Sequence, residues 1–338
     1  MVRLLGQHYR ANGLLDAARL LLPALRVLGR RRALDRLFRL NNFAGQIASD
    51  PQADVLFHVS HRHFLAIGLS FTQRLECAHS HFAQEDARYD RAYQVAVYGP
   101  GPGMLLWSQQ VGEVVYSIRL RSSAELRHEG PLSVVLMANQ DWLHETSLAW
   151  IDASLFKDPA ASGALMFITR NQSVRHDHAA LIAFRRDFPQ NSPSYFCLAA
   201  VHGMAHVNGQ TQLAGIQGEC QIAYDTAFAS SFRSSYCEFW KTFGGVELQQ
   251  WALLMPVPVQ VSPISALKAK HRARARARRQ NWSDICDQAA ASLAGHRKAN
   301  ADAQQALHLQ TRTLSGALSA LWAADLWSLF VELVALAA

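Results

Sequence analysis

His202 and His206 stand four residues apart, a spacing that on a helix turns two imidazoles to one face and could hold a metal. The glutamate that a zinc protease carries after its first histidine is absent, because position 203 is Gly203. Other histidines cluster as His58, His61 and His63, as His79 and His81, and as His176 and His178. No third ligand can be named for any of these groups, so no metal site is expected. The default for all fifteen histidines is a satisfied core or surface position. Cys197, Cys220 and Cys237 have the chemistry of nucleophiles, yet a reactive thiolate needs an exposed, electropositive neighbourhood. The cysteines number five and form no Cys-x-x-Cys pair, which points to reduced thiols in a cytoplasmic setting.

A third kind of chemistry lies in charge. The twelve residues Lys268 to Arg279 hold seven cations and no acid: Lys268, Lys270, Arg272, Arg274, Arg276, Arg278 and Arg279. The formal net charge of the 338-residue chain is +7, so this tract alone accounts for it. Residues 1–40 carry nine arginines against Asp16 and Asp35, and the body between the basic segments is acidic. Two basic segments around an acidic body suggest peripheral contact with phosphates or lipid headgroups. Docking on the chain's own acidic surface is the plainer alternative. Near an anionic membrane each cation contributes about 1 kcal/mol. The same tract could track nucleic-acid phosphates, but it lacks the interleaved aromatics that stack bases.

These residues need elements to position them. Residues 1–55 read as a basic amphipathic helical segment, 56–279 as the core ending in the basic tract, and 280–338 as a helical extension. Phe64 to Ala83 has helical spacing. Strands are expected over Val114 to Leu120, Leu132 to Ala138, Glu145 to Phe156 and Ala164 to Thr169. Helices follow at His178 to Asp187 and Ser194 to Val207, separated by Pro189 and Pro193 and closed by Gly209. Then come a strand at Thr211 to Ile216, a helix at Tyr224 to Phe243 and a last strand at Leu248 to Met255. The order predicts an α+β fold with a central, mostly antiparallel sheet and helical N- and C-terminal extensions. Leu314 to Ala338 is apolar but contains Asp325 and Glu332, and reads as an amphipathic helix rather than a membrane span.

Several motifs occur in a recognisable order. They are Gly68-Leu69-Ser70 with Arg74-Leu75 and His81-Phe82, Glu129-Gly130-Pro131-Leu132-Ser133, and Leu165 to Ser173. Phe239-Trp240 with Gly244-Gly245 follows, then Pro263-Ile264-Ser265 with the basic tract. This set resembles the bacterial VirK/YbjX family, a domain-of-unknown-function group, over about two thirds of the chain. The resemblance implies an association with virulence, envelope traits and tolerance of antimicrobial peptides. It names no reaction. The chain departs from the pattern where Thr169, Arg170 and Ser173 replace turn glycines, with Gln172 retained. It departs again at Gln221, Ala223, Tyr224 and Thr226, where the family carries histidine and basic residues.

The order of strands, helical crossover, strand, helix and Gly-Gly turn also looks like GCN5-type acyltransferases. In that fold the fourth strand splays from the fifth and admits the pantetheine of acyl-CoA, while a helix N-terminus holds the pyrophosphate. The likeness implies Arg170, Gln172 and Arg175 on the cofactor side, although the loop Asn171 to Asp177 has no glycine to build a cradle. It implies Tyr224 or Tyr236 as general acid toward the leaving thiolate and Glu219 as base. Three functions therefore stand: a VirK/YbjX-like protein, peripheral at the inner membrane, on an anionic surface; an acyl-CoA-dependent acyltransferase acting on an amine of a peptide or envelope component; and a nucleic-acid-binding regulator.

Overall fold

The computed structural model describes residues 30–44, 59, 63–123, 128–173, 178–248 and 251–299. The expectations for residues 1–29 and for Leu314 to Ala338 lie outside these.

The N-terminal part supplies α1 (Arg31–Phe38), α2 (Phe71–Arg88) and α3 (Arg91–Tyr98). Helix α2 starts later than its apolar spacing suggests. Ser70 caps it by accepting the Gln73 N–H, while the Gln73 side chain accepts the Ser70 N–H. The expected helical residues before Ser70 are a loop instead. There Leu65 has φ 64° and donates its N–H to His128 O, and Ile67 donates to Cys220 O. Apolar spacing could not reveal this, since Phe64, Leu65 and Ala66 are buried as loop residues too.

An eight-stranded sheet follows among the described residues, in the order β1-β2-β3-β4-β5-β6-β8-β7. Its strands are β1 (Met104–Val111), β2 (Val114–Ser122), β3 (Leu132–Ala138), β4 (Asp141–Asp152), β5 (Ala164–Ser173), β6 (Gln212–Ile216), β7 (Val246–Glu247) and β8 (Ala252–Pro256). All pairings are antiparallel except β5 with β6. The fold is α+β, as the element order indicates. Strand β1 is additional to the expected meander. Its second half, Ser108-Gln109-Gln110, is polar and exposed, as suits a sheet edge. The strand expected from Glu145 begins earlier, at Asp141, and ends at Asp152, where the Asp152 side chain caps a 3-10 turn, Ala153–Phe156.

Leu143 to Ile151 on β4 are buried in succession, so both faces of the sheet centre are covered. Helix α2 packs on β4, and α5 (Pro193–Val207) packs on β3, β4 and β5. Helix α4 (His178–Asp187) leads into α5, and α6 (Ala269–Ala294) lies along α5 and reaches β1. Helix α6 passes residue 280 without a break, and its second half buries Ile285, Ala289 and Leu293. It approaches α5 closely because position 203 has no side chain. A Cβ on Gly203 would lie 2.2 Å from the Cys286 carbonyl oxygen.

The helix expected over Tyr224 to Phe243 is a broken path. A 3-10 turn, Thr226–Phe228, leads to a short α-turn, Ala229–Phe232, then to a π-helical stretch, Arg233–Glu238, and a last turn, Phe239–Lys241. It carries Trp240 flat onto β6, where a Cβ on Gly215 would meet the indole at 2.6 Å. Trp240 Nε1 donates to Ile216 O at 2.8 Å. The inserted residue of a π turn re-aims the side chains that follow, a frequent device at sites.

Candidate functional site

The centre of interest is the place where β5 and β6 part. They pair in parallel only through Phe167 with Ala214 and Ile168 with Gly215. Beyond Ile168, β5 bulges. Ser147 on β4 faces Arg170 while the next residue, Leu148, faces Ile168, so Thr169 is the extra residue. A bulge bends its strand and ends regular pairing. Thr169 is tied down by its hydroxyl, which donates to Glu129 O and lies 3.2 Å from Ser147 O. Past Ile216 the chain turns into the 3-10 turn Gly218–Cys220, while β5 continues to Ser173. The two strands therefore diverge.

Tyr236 sits in the gap. The Gln172 side-chain amide donates to its hydroxyl at 3.1 Å and the Asn171 backbone N–H donates at 3.4 Å. Burial pushes the phenol up to about 12, so it remains protonated at neutral pH. Beside it opens a cleft of about 630 Å³, lined among others by His144, Asn171, Ser173, Asp225, Ser231 and Tyr236. That volume lies within the roughly 300–1,000 Å³ of small-molecule sites.

His144 joins the cleft from β4, directly across from Ser173 on β5. Its Nε2 is 2.8 Å from Asn171 Oδ1, and its Nδ1 is 3.2 Å from Ser173 Oγ. An amide oxygen can only accept, so Nε2 carries the proton and Nδ1 accepts from Ser173. Burial lowers the His144 pKa to about 4, against the Asn171 hydrogen bond, and the nearby Arg170 lowers it further. The imidazole is therefore neutral at pH 7.

Arg170 turns inward. Its guanidinium pairs with Glu129 and lies 4.0 Å from Glu145. Gln221 Nε2 donates to Glu129 Oε1 at 2.6 Å, and Ser133 Oγ donates to Glu145 Oε1 at 2.6 Å. One cation thus serves two buried carboxylates, with neutral donors completing the set. The glycine-free stretch at 169–170 and the Gln221 departure meet here, in one interior network.

The other sequence-derived candidates are dispersed. Glu219 is exposed on the Gly218–Cys220 turn and is not among the residues lining the cleft. Tyr224 is half-buried with its ring edge on Phe232 at 5.3 Å, and Phe232 stacks on Tyr236 at 5.8 Å. Arg175 lies outside the described residues. The tract residues fall on α6 and its N-cap Lys268. Arg272 donates to Leu267 O and Ser265 O, Arg279 donates to Ser262 O, and Arg278 lies over Trp282 at 5.1 Å. Lys268, Lys270, Arg274 and Arg276 are exposed.

Burial raises the thiols of Cys77, to about 12, of Cys197 and of Cys220, to about 11, which keeps them in the unreactive form. Among the described residues no group of three His, Cys, Asp or Glu side chains could hold a metal, and no helix is long and apolar enough to cross a membrane. Sequence reasoning missed His144, which belongs to none of the histidine clusters. Its signal is positional: a histidine on a strand, opposite the end of the strand that carries Gln172.

No curated protein and no solved structure matches the chain. A family model described as "Protein of unknown function (DUF535)" matches residues 17–292, and the chain belongs to that family.

Proposed function

We propose that the protein is an acyltransferase that takes its acyl group from a thioester donor such as acyl-CoA and works in the cleft between β5 and β6. The observation that carries this reading is the divergence of two parallel strands after two residue pairs, with a protonated tyrosine at the unpaired edge. The edge N–H of Asn171 is held by a side-chain hydroxyl and not by a strand, so an extended pantetheine arm can replace that partner without breaking the sheet. Tyr236 accepts two hydrogen bonds and keeps its own proton to give. Attack of an acceptor amine on the thioester forms the C–N bond and breaks the C–S bond. Tyr236 protonates the departing thiolate, and the proton lost by the amine passes to Ser173 Oγ as Ser173 gives its own proton to Nδ1 of neutral His144. His144 is a better candidate for this task than Glu219, because it lines the cleft. Arg170 organises Glu129 and Glu145 instead of meeting phosphate.

The resemblance to VirK/YbjX proteins favours an acceptor amine on a peptide or envelope component. The exposed cations of α6 favour work at an anionic membrane surface on the cytoplasmic side. A nucleic-acid partner is the weaker reading for the same cations.

Thermal denaturation with acyl-CoA tests the proposal. A donor at 100 times its Kd stabilises by about 2.7 kcal/mol, which raises Tm by about 5–10 °C for a body of this size. Unchanged Tm at millimolar acyl-CoA would overturn it.

A further inference from the structure

A second cavity lies on the other side of an aromatic wall. Phe239 lines the cleft, and Tyr195, stacked on it at 5.5 Å and 15°, lines a separate pocket of about 380 Å³ between α5, α6 and the residues after β8. Leu198, Ala199, Phe243, Val257, Val259 and Trp282 make its walls mainly apolar. Two of its polar side chains have buried atoms left unpaired. His202 is 4% exposed, and both its ring nitrogens are buried without a hydrogen-bond partner among the described residues. Arg279, at the end of the basic tract, also lines the pocket, and its Nε is buried without a partner. His206, Ser283, Cys286 and Asp287 also line the pocket.

Leaving such atoms unpaired is costly, so native folds do so rarely and for a reason. An apolar body would satisfy the walls, and acceptor oxygens would satisfy the His202 N–H and the Arg279 Nε–H. The exposed Arg276 stands one turn back from Arg279 along α6, which adds positive charge beside the pocket. We propose that this pocket binds a single-chain amphiphile with an anionic head, its oxyanion held by Arg279 and His202 and its chain lodged among the apolar walls. The site is separate from the acyl-transfer cleft and does not depend on that reading. The head can be the carboxylate of a free fatty acid or a phosphate monoester of lipid origin.

The test is calorimetric titration of the full chain with dodecanoate, dodecyl phosphate and dodecanol. Saturable one-to-one binding of dodecanoate or dodecyl phosphate, with dodecanol at least about tenfold weaker, is expected. The tighter of the two anions identifies the head. Arg279→Met and His202→Phe are each expected to bring the anion's affinity down to that of dodecanol. Val259→Trp, a half-buried wall position, is expected to block all three ligands while circular dichroism stays unchanged. Absence of saturable binding up to about 1 mM, the weak end of the affinity scale, would overturn the proposal. So would equal binding of dodecanol and the anions, or binding untouched by Val259→Trp.

Discussion

The Gln172 amide and the Tyr236 hydroxyl meet at 3.1 Å across 64 residues of sequence, and their bond spans the opening between β5 and the chain beyond β6. Tyr236→Phe removes that bond together with the one from the Asn171 N–H. Leaving buried donors unsatisfied costs about 1–3 kcal/mol. Losing the proton donor is expected to reduce acyl-transfer turnover by about a hundredfold or more. Urea denaturation reads the first effect and thioester turnover the second. A variant that transfers acyl groups at the parental rate would remove Tyr236 from the chemistry.

Arg170 is the one cation within reach of Glu129 and Glu145 among the described residues. Arg170→Leu should destabilise the fold by about 3–5 kcal/mol, since it strands buried carboxylates. Adding Glu129→Gln should restore part of the loss. Chemical denaturation of the single and double variants measures the coupling, and strict additivity would contradict the network.

Glu85 on α2 accepts Trp150 Nε1–H at 2.9 Å and the Tyr98 hydroxyl at 2.9 Å in a fully buried setting. Burial raises its pKa from 4.5 to about 7, against hydrogen bonds from Tyr93, Tyr98 and Trp150 and the charge of Arg88. Between those values the native state holds a proton that the unfolded chain has released. This group's stabilising effect is therefore complete below pH 4.5 and lost as pH rises to about 7. His81 and His144 act in the opposite sense. Burial lowers them from 6.5 to about 3 and about 4, so their effect grows as pH rises toward 6.5. Glu85→Gln removes only the first trend. From pH 4.5 to 7 its stability relative to the parent should improve by about 3 kcal/mol, measured by guanidinium denaturation at both pH values.

Gly203→Ala places a methyl group against the Cys286 carbonyl. Because the obstacle is backbone, α6 must shift, at a cost of about 1–3 kcal/mol. A lowered denaturant midpoint is expected, and an unchanged one would mean that α6 is held less tightly than its packing indicates.

Replacing Lys268, Lys270, Arg274 and Arg276 by Gln should weaken binding to anionic vesicles by about 1 kcal/mol per charge and leave folding intact, because all four are exposed. Arg272 and Arg279 are excluded from this set, since they brace Ser265, Leu267 and Ser262 carbonyls. Flotation with and without anionic lipid reads the effect. Flotation equal to that of the parent would count against the membrane reading. Retention on nucleic acid with a steep salt dependence would favour the other partner.

Much of the fold was legible because local rules govern it. Alternation marked β2, and prolines and Gly209 bounded α4 and α5. Strand β1 escaped because its outer half is as polar as a loop. The 224–243 segment escaped because apolar spacing cannot register the π insertion before Trp240. Of the site, Gln172 and Tyr236 were named without any indication that they touch. His144 was not named at all, since its partner Asn171 is 27 residues away and reached only through the β4–β5 register.

The sequence by itself determined the α+β class, the position of the basic tract and the family, because composition, periodicity and ordered motifs are properties of the chain. Only the tertiary structure decided that β5 bulges at Thr169, that Arg170 faces inward to Glu129, and that Tyr236 fills the strand gap. The reason is register. One extra residue in a strand reverses which side chains face inward, and only its paired neighbours fix where that residue falls.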